Sequence, residues 1–324
     1  MRHRAALAAL TLIGAVVFGP RLQMQEHPVT PPWGASGDIQ AFHVQGNVHL
    51  LVGAGGNIAV QTGDEGVLVV DTGLSQFAEK TLAAIRRLSD KPIRYIINTH
   101  FHPDHTGGNE VIGKAGSTVQ GNPTAIIAHE NVLKRMSAPT GEVSPTPVAA
   151  WPTSSYVKAS RDFFFNDESV MVFHDDAGHT DGDSIVHFRK SDVLVAGDVF
   201  LTTSYPVIDL GNGGGIQGVI NGLNHLLDLA VPKHAQEGGT YVISGHGRVA
   251  DEADVLEYRD MVTIVRDRIK DAISRGRTLE QVKAERPTID YDRHYGSQTG
   301  NWTTAMFIEA IYKDLSPKRP EPRK

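Results

Sequence analysis

The chain has 324 residues, of which 40% are hydrophobic and 21% charged, a composition typical of a folded globular protein that excludes disorder of the whole chain. Its formal net charge is −6 and its body contains no run of lysines or arginines, which disfavours a nucleic-acid partner. It has no cysteine, so disulfides, thiolate ligands and a cysteine nucleophile are excluded, and any bound metal must be held by nitrogen and oxygen.

The N-terminal residues 1–25 combine a basic start with an apolar run at 5–18. That run matches the apolar region of a secretory signal better than a membrane span, which needs about 20 residues. The following Gly19-Pro20-Arg21 is a poor cleavage site, so a cleaved signal peptide and an uncleaved signal that anchors the chain in the membrane both stay open. Either alternative predicts export to the periplasm or the exterior.

From about residue 44 onward, short β-like runs alternate with helical patterns. A helix is predicted after Ser75, and a longer one at about 250–275. The predicted strands lie at 47–53, at 57–73 as a hairpin with its turn at 63–66, and at 93–99, 124–129, 168–174, 184–188, 192–198 and 240–246. This mixture predicts sheets covered by helices, an α/β or α+β core.

Two segments differ from this alternation. Residues 136–158 carry four prolines and are predicted to form a long irregular loop, in which Trp151 and Tyr156 either lie over a functional site or pack the loop against the body. The C-terminal residues 276–324 are predicted to form a helical extension that packs on the domain at 37–275. The sequence Thr278-x-x-Gln281 is a capping box at the start of one of its helices.

The stretch THFHPDHTGG, residues 99–108, crowds three histidines and an aspartate into six positions. Alternate residues of a strand face the same side, so His100 and His102 are expected to point the same way at the end of the preceding strand. A turn at Pro103 would bring Asp104 and His105 to the same space. Imidazole and carboxylate groups are suitable zinc ligands, and four of them within six residues can serve two ions.

Three further candidate ligands, His179, Asp198 and His246, follow predicted strands, each directly after a glycine. A glycine before a ligand allows an unusual turn and a close approach of the backbone. Each pair of a glycine and the ligand after it is weak evidence alone, but the three pairs together with the histidine-rich stretch predict a metal site. Tyr205 and Asp209, shortly after Asp198, are candidate substrate contacts. The glycines at 211 and 213–215 lack the lysine of a P-loop and are interpreted as loop.

In this order, His100-x-His102-x-Asp104-His105, His179, Asp198 and His246, together with VVDTG at 69–73, resemble the metallo-β-lactamase superfamily. The resemblance implies an αββα sandwich, two sheets packed face to face with helices outside and the site at one edge. It also implies ligand roles: His100, His102 and His179 for one metal, Asp104, His105 and His246 for the other, Asp198 as the bridge, and Asp71 fixing a ligand imidazole.

The same resemblance implies a zinc-dependent hydrolase in which two Zn²⁺ ions share a hydroxide and Asp104 orients it. The substrate would be a small molecule with an amide or ester carbonyl, such as a β-lactam, a lactone or a related ester. The lactamase subclass with a cysteine ligand is excluded, because Asp198 stands at that position. A thioester hydrolase of the glyoxalase II type, an iron-dependent sulfur dioxygenase on the same fold and a non-catalytic metal-binding protein stay open as alternatives.

Overall fold

A computed structural model describes residues 35–138, 143–236 and 238–317. The predicted signal or anchor at 1–25 lies outside the described residues. Among the helices of the described ranges, none combines the length and the apolar character that crossing a membrane requires.

The first sheet has seven strands that lie side by side in chain order. The strands β1 to β4 pair antiparallel, and β4 to β7 pair parallel. The hairpin predicted at 57–73 is confirmed, because β3 and β4 pair up to Gly63 and Gly66 on either side of its turn. The seven are β1 (Gln40–Gln45), β2 (Val48–Val52), β3 (Ile58–Gly63), β4 (Gly66–Val70), β5 (Ile93–Ile97), β6 (Ala125–His129) and β7 (Ser154–Tyr156).

The second sheet has six strands in the order β13-β12-β11-β10-β9-β8. In the described residues β11 and β12 pair parallel, and the other neighbouring strands of this sheet pair antiparallel. The six are β8 (Ser160–Phe165), β9 (Glu168–Asp175), β10 (Asp183–Phe188), β11 (Val193–Val195), β12 (Tyr241–Ile243) and β13 (Val249–Ala250).

Helices flank the sheets and form the C-terminal part of the described chain. The predicted capping box is confirmed at the start of α7, where the Thr278 side chain accepts a hydrogen bond from the Gln281 amide and the Gln281 side chain accepts one from the Thr278 amide. The helices are α1 (Ala78–Leu88), α2 (Pro103–Thr106), α3 (Asn109–Ala115), α4 (Glu130–Met136), α5 (Ile216–Leu229), α6 (Glu252–Ser274), α7 (Leu279–Glu285), α8 (Asp292–Tyr295) and α9 (Thr304–Leu315).

The central strands are apolar on both faces, so successive residues enter different cores. In β5, Ile97 packs between the two sheets, whereas Ile96 packs under α1 and α3. In β10, Val186 faces the space between the sheets and Ile185 packs against the helices α5, α6 and α9. Because side chains alternate along a strand, this pattern gives four layers: helices, sheet, sheet, helices. Each such buried side chain contributes about 2 kcal/mol to folding. The αββα sandwich with a helical C-terminal region is confirmed.

Candidate metal centre and substrate cavity

The histidine-rich stretch leaves the carboxyl end of β5 and turns into the short helix α2. Because β5 ends at Ile97, His100 and His102 lie in the loop beyond it, which corrects the strand geometry expected from the sequence. His102 is the N-cap residue of α2 and Pro103 follows it at the first helical position, where the missing N–H of proline is tolerated. Helix α2 then carries Asp104 and His105 within one turn.

The three remaining ligands come from the second sheet, as its strands reach the same edge. His179 lies between β9 and β10, Asp198 in a 3₁₀ turn after β11, and His246 after β12. The glycine before His246 is required by close packing. A Cβ atom on Gly245 would stand 2.1 Å from Oδ1 of Asp198, so any other residue would displace a ligand.

All seven predicted ligands converge. Oδ1 of Asp198 lies 3.2 Å from Nε2 of His105, and its Oδ2 lies 3.7 Å from Nε2 of His179. Asp198 therefore contacts both sets that the resemblance implied. The ligands form three groups, and within each group the ligand atoms lie within 4.8 Å of one another. The groups are His100, His102 and His179; His100, His105 and Asp198; and Asp104, His105 and His246.

The donor atoms fit divalent metal ions. Nε2 of His100 and Oδ1 of Asp198 are buried without a hydrogen-bond partner, an arrangement that is costly unless a cation binds there. Ring nitrogens also crowd together: Nε2 of His105 lies 3.4 Å from Nε2 of His246. Histidine nitrogens and carboxylate oxygens without thiolates form a donor set that zinc accepts.

Polar groups outside the centre hold the ligand rings with the correct nitrogen inward. Nδ1 of His105 lies 2.8 Å from Oδ2 of Asp71, which is the contact that the resemblance implied for Asp71. Thr99 Oγ1 donates to the same Oδ2 at 2.7 Å and lies 3.1 Å from Nδ1 of His100. Nδ1 of His179 lies 2.7 Å from the carbonyl oxygen of Val207. Such contacts fix the tautomer and leave Nε2 free for a metal.

His102 is held the other way round. Its Nε2 lies 3.0 Å from Oδ2 of Asp209, whereas its Nδ1 lies 2.8 Å from Nε2 of His179. The interpretation of Asp209 as a candidate substrate contact is therefore corrected, because its carboxylate is used to orient a ligand imidazole. Asp209 follows His102 by 107 residues, and no local pattern links the two.

We expect Asp209→Ala to weaken metal binding about ten- to hundredfold, the usual cost of losing the partner that orients a ligand histidine. The metal-free protein should lose about 1 kcal/mol of stability, because Asp209 is the N-cap of the 3₁₀ turn Leu210–Asn212 and its side chain accepts a hydrogen bond from the Asn212 amide. Competition with a chelator gives the affinity and thermal unfolding gives the stability.

Asn212→Ala is the matched control, since Nδ2 of Asn212 donates to the same Asp209 oxygen at 2.7 Å without involving His102. An unchanged metal affinity in Asp209→Ala, or an equal loss in both variants, would contradict the assignment.

The metal-free site balances buried charges. Burial raises the pKa of the Asp104 carboxyl, but His105 and His246 outweigh burial and hold that pKa at about 2. Burial lowers the pKa of His246, but Asp198 and Asp104 outweigh it and raise that pKa to about 9. His246 and His105 also outweigh burial at Asp198 and hold its pKa well below the usual range, so both Asp104 and Asp198 are in the charged form that binds cations, whereas His246 must release a proton when it becomes a ligand.

A cavity of about 340 Å³ opens over the centre. Ligands form its floor, and Thr203 and Ser204 add polar groups to its wall. The sequence did not predict Thr203 and Ser204, because no local pattern tells which side chains of the loop after Asp198 face the cavity. The lining contains no lysine or arginine in the part of the chain that the structure describes; it consists of His102, Asp104, His179, Asp198, Leu201, Thr203, Ser204, Val207, His246, Asn301 and Trp302.

Three aromatic candidates for substrate contact lie outside the cavity lining: the prediction for Tyr205 is corrected, and for Tyr156 and Trp151 the structure shows the alternative in which they pack against the body. Tyr205 is 1% exposed, stacks on Phe307 and donates its hydroxyl hydrogen bond to the Thr288 carbonyl, so it belongs to the core. Tyr156 is 7% exposed in β7, with its hydroxyl 2.8 Å from that of Ser184.

Trp151 packs its loop against the body of the domain, which is the second of the two alternatives that the sequence left open. Its indole lies with a small cluster around Val132 and Met136, and its Nε1 donates to the Thr146 carbonyl. His174, the histidine five residues before His179, stacks on His129 with the ring centroids 3.6 Å apart. Neither Trp151 nor His174 is among the residues that line the cavity.

An αββα sandwich with a centre of histidine and aspartate ligands at one edge of its sheets defines a class of metal-dependent hydrolases. The family model described as the metallo-beta-lactamase superfamily matches residues 51–285, and the chain belongs to that superfamily. The resemblance noted in the sequence is thereby confirmed.

The chain is similar to sulfatases and lactamases of this fold. It is 39% identical over 82 residues to a linear primary-alkylsulfatase of Pseudomonas sp. (strain ATCC 19151), a match that covers 25% of this chain and 15% of that protein. The stereoselective inverting sec-alkylsulfatase Pisa1 from Pseudomonas sp. superposes with a TM-score of 0.65 at 15% identity, over 85% of this chain and 50% of that one. The metallo-beta-lactamase from Pontibacter korlensis superposes with a TM-score of 0.54 at 15% identity, over 69% of this chain and 99% of that one. The structural likenesses show the fold, and the chain spans about half the length of the sec-alkylsulfatase.

Proposed function

We propose that this metal-dependent hydrolase holds two Zn²⁺ ions and cleaves the acyl C–O bond of an uncharged, partly apolar carboxylic ester or lactone by attack of water on its carbonyl carbon. The observation that carries the proposal is the lining of the cavity over the centre. Leu201, Val207 and Trp302 present apolar surface there, and no lysine or arginine lines the cavity among the described residues. An anionic substrate is usually recognised by such cations, so the lining favours a neutral substrate over a β-lactam that carries a carboxylate.

The residues of the site divide the work of such a reaction. Two bound Zn²⁺ ions would supply a water of lowered pKa and polarise the scissile carbonyl. Asp104 reaches the cavity with a side chain that is 32% exposed, and its Oδ2 lies 3.1 Å from Nε2 of His246. From that position its carboxylate can orient the attacking water and pass the proton to the leaving alkoxide. Thr203 and Asn301 offer polar contacts to the substrate at the cavity wall.

We expect purified protein to contain about two zinc ions per chain and to hydrolyse p-nitrophenyl esters and lactones. Removal of the metal with a chelator should abolish the activity, and Zn²⁺ should restore it. Elemental analysis and a substrate panel test this. Less than one zinc per chain would contradict the metal assignment, and turnover of β-lactams without turnover of esters or lactones would contradict the substrate class.

Hydrolysis of an alkyl sulfate is the second candidate: the identity shared with the linear primary-alkylsulfatase favours it, whereas the lack of lysine and arginine in the cavity lining of the described residues disfavours its anionic head group. The panel therefore includes dodecyl sulfate. A thioester in the same panel and oxygen uptake by iron-loaded protein test the two other enzymatic alternatives. The basic start and apolar run of residues 1–25 support the further proposal that the protein acts after export, on a small-molecule substrate outside the cytoplasm.

A further inference from the structure

The C-terminal extension supplies part of the cavity wall. Asn301 and Trp302 lie between α8 and α9, beyond residue 285, where the match to the superfamily ends. Both residues nevertheless line the cavity that contains the ligands His102, Asp104 and His246. This wall is therefore a feature of the chain that the family match does not cover.

Trp302 is held in place from two sides. Its indole Nε1 donates a hydrogen bond of 3.1 Å to the carbonyl oxygen of Pro206. The next residue, Thr303, is the N-cap of α9, and its side chain accepts a hydrogen bond from the amide of Met306. One turn into α9, Phe307 stacks on Tyr205 with ring centroids 4.6 Å apart. The indole is thus bonded to the 202–209 loop, and the backbone of Trp302 leads directly into a packed helix.

The loop that Trp302 contacts is itself part of the centre. The residue after Pro206 is Val207, whose carbonyl oxygen lies 2.7 Å from Nδ1 of His179 and whose side chain packs against the apolar core. The cavity consequently has two kinds of surface. Its floor is made of charged and polar ligands, whereas Leu201, Val207 and Trp302 contribute apolar surface at its wall.

A bound ester must place its carbonyl at the ligands, because the metal ions and Asp104 are there. Its non-reacting hydrocarbon part is then left to the wall, and an indole is the largest apolar side chain that can receive it. We infer that Trp302 is a specificity-determining residue whose ring accepts the acyl chain of the substrate and so favours longer acyl groups over acetyl. The inference rests on the proposed ester hydrolysis for its reaction, but the binding of the chain can be measured without turnover.

The test compares substrates and ligands that carry an acetyl group with those that carry a hexanoyl group. In the wild-type, zinc-loaded protein we expect kcat/KM for p-nitrophenyl hexanoate to exceed that for the acetate, and hexanoate to bind more tightly than acetate in calorimetry, by up to about fourfold for each methylene that is buried. In Trp302→Ala both hexanoyl-to-acetyl ratios should fall about tenfold, with unchanged zinc content. Ratios within about twofold of the wild type would overturn the inference.

Two phenylalanine variants complete the design. Trp302→Phe keeps an apolar ring but loses the hydrogen bond to Pro206, so its ratios should lie between those of the wild type and Trp302→Ala. An equal loss in Trp302→Phe and Trp302→Ala would overturn the inference, because the hydrogen bond and not the ring would then matter. Trp151→Phe is the matched control, since Trp151 lies outside the cavity lining and its loss should leave both ratios at their wild-type values.

The binding arm separates this inference from the proposed function. If the wild-type protein hydrolyses neither esters nor lactones, the proposed function fails, and the hexanoate-to-acetate ratio of dissociation constants still decides the role of Trp302. If the esters are hydrolysed and the ratios do not respond to Trp302→Ala, the inference fails and the proposed function stands.

Discussion

Asp198→Ala should reduce kcat/KM on the order of 10³-fold or more, because losing a ligand costs more than the ten- to hundredfold of losing a partner that orients one. The reason is its position between the two ligand sets, with Oδ1 3.2 Å from His105 and Oδ2 3.7 Å from His179. Its loss also leaves several buried imidazoles without their nearest carboxylate. The number of metal ions retained after dialysis should fall from about two to one or fewer. Elemental analysis and ester hydrolysis measure the two effects.

The matched control is Asp175→Ala, which removes another buried carboxylate from the second sheet. Asp175 is 8% exposed and Asp198 7%, and Oδ1 of Asp175 pairs with Nδ1 of His225 at 3.0 Å, outside the ligand set. This variant should lose stability yet retain its metal ions. If Asp198→Ala keeps two ions and most of its activity, Asp198 does not bridge them.

The ligand set could be predicted because its members leave local signals. Asp198 and His246 follow β11 and β12, short apolar strands that are largely buried, whereas His179 follows β9, in which buried and half-buried residues alternate. A glycine then precedes each ligand, and Gly245 shows why: its missing Cβ leaves room for the Asp198 carboxylate. The strand, the glycine and the ligand follow one another closely in the chain, so a pattern of a few residues is enough to predict the ligand.

The groups around the ligands could not be predicted, because their neighbours are distant in sequence. Asp209 reaches His102 across 107 residues, and Trp302 reaches Pro206 across 96. Tyr205 follows Asp198 closely and was therefore assigned to the site, but the fold turns its ring away into the core formed with α9. Proximity in sequence identifies the ligands and places the 201–207 segment at the cavity, but it does not tell which of its side chains face the cavity.

The missed elements have different physical causes. Strand β8, SRDFFF, alternates between exposed and half-buried residues at the edge of its sheet and lacks the apolar run of a central strand. Helix α5 contains two glycines, which lower intrinsic helix propensity by about 1 kcal/mol each. At Gly218 close packing overrides that cost, since a Cβ atom there would stand 1.7 Å from the carbonyl oxygen of Ala177, just before the loop that carries His179.

Asp71 offers the second large effect, because one buried carboxylate serves two ligand histidines. It is 1% exposed, accepts hydrogen bonds from the amide and hydroxyl of Thr99 at 2.8 and 2.7 Å, and lies 2.8 Å from Nδ1 of His105. We expect Asp71→Ala to lower the free energy of unfolding of the metal-free protein by about 3 kcal/mol, as when one partner of a buried pair is removed. Metal affinity should fall about ten- to hundredfold in addition.

Asp71→Asn should separate the two effects. Asp71 has a φ of 63°, a left-handed conformation that asparagine tolerates better than alanine. An amide group can fill the same space and satisfy part of the Thr99 contacts, so the loss of stability should be smaller than in Asp71→Ala. Its NH₂ group favours the His105 tautomer in which Nε2 carries the proton, and that nitrogen cannot then bind a metal. Urea unfolding of the metal-free protein and chelator competition measure the two quantities.

Asp192→Ala controls for the effect of replacing an aspartate that has a left-handed backbone conformation. Asp192 also has a positive φ, 52°, and accepts a hydrogen bond from the Thr240 hydroxyl at 2.7 Å, but it does not contact the metal ligands identified in the described chain. It should therefore lose stability without losing metal affinity. Wild-type metal affinity in Asp71→Asn would show that the ring of His105 needs no carboxylate to orient it, and Asp71 would then be a purely structural residue of the β4 end. A selective loss of affinity would instead establish that the VVDTG stretch acts on the metal centre through a tautomer.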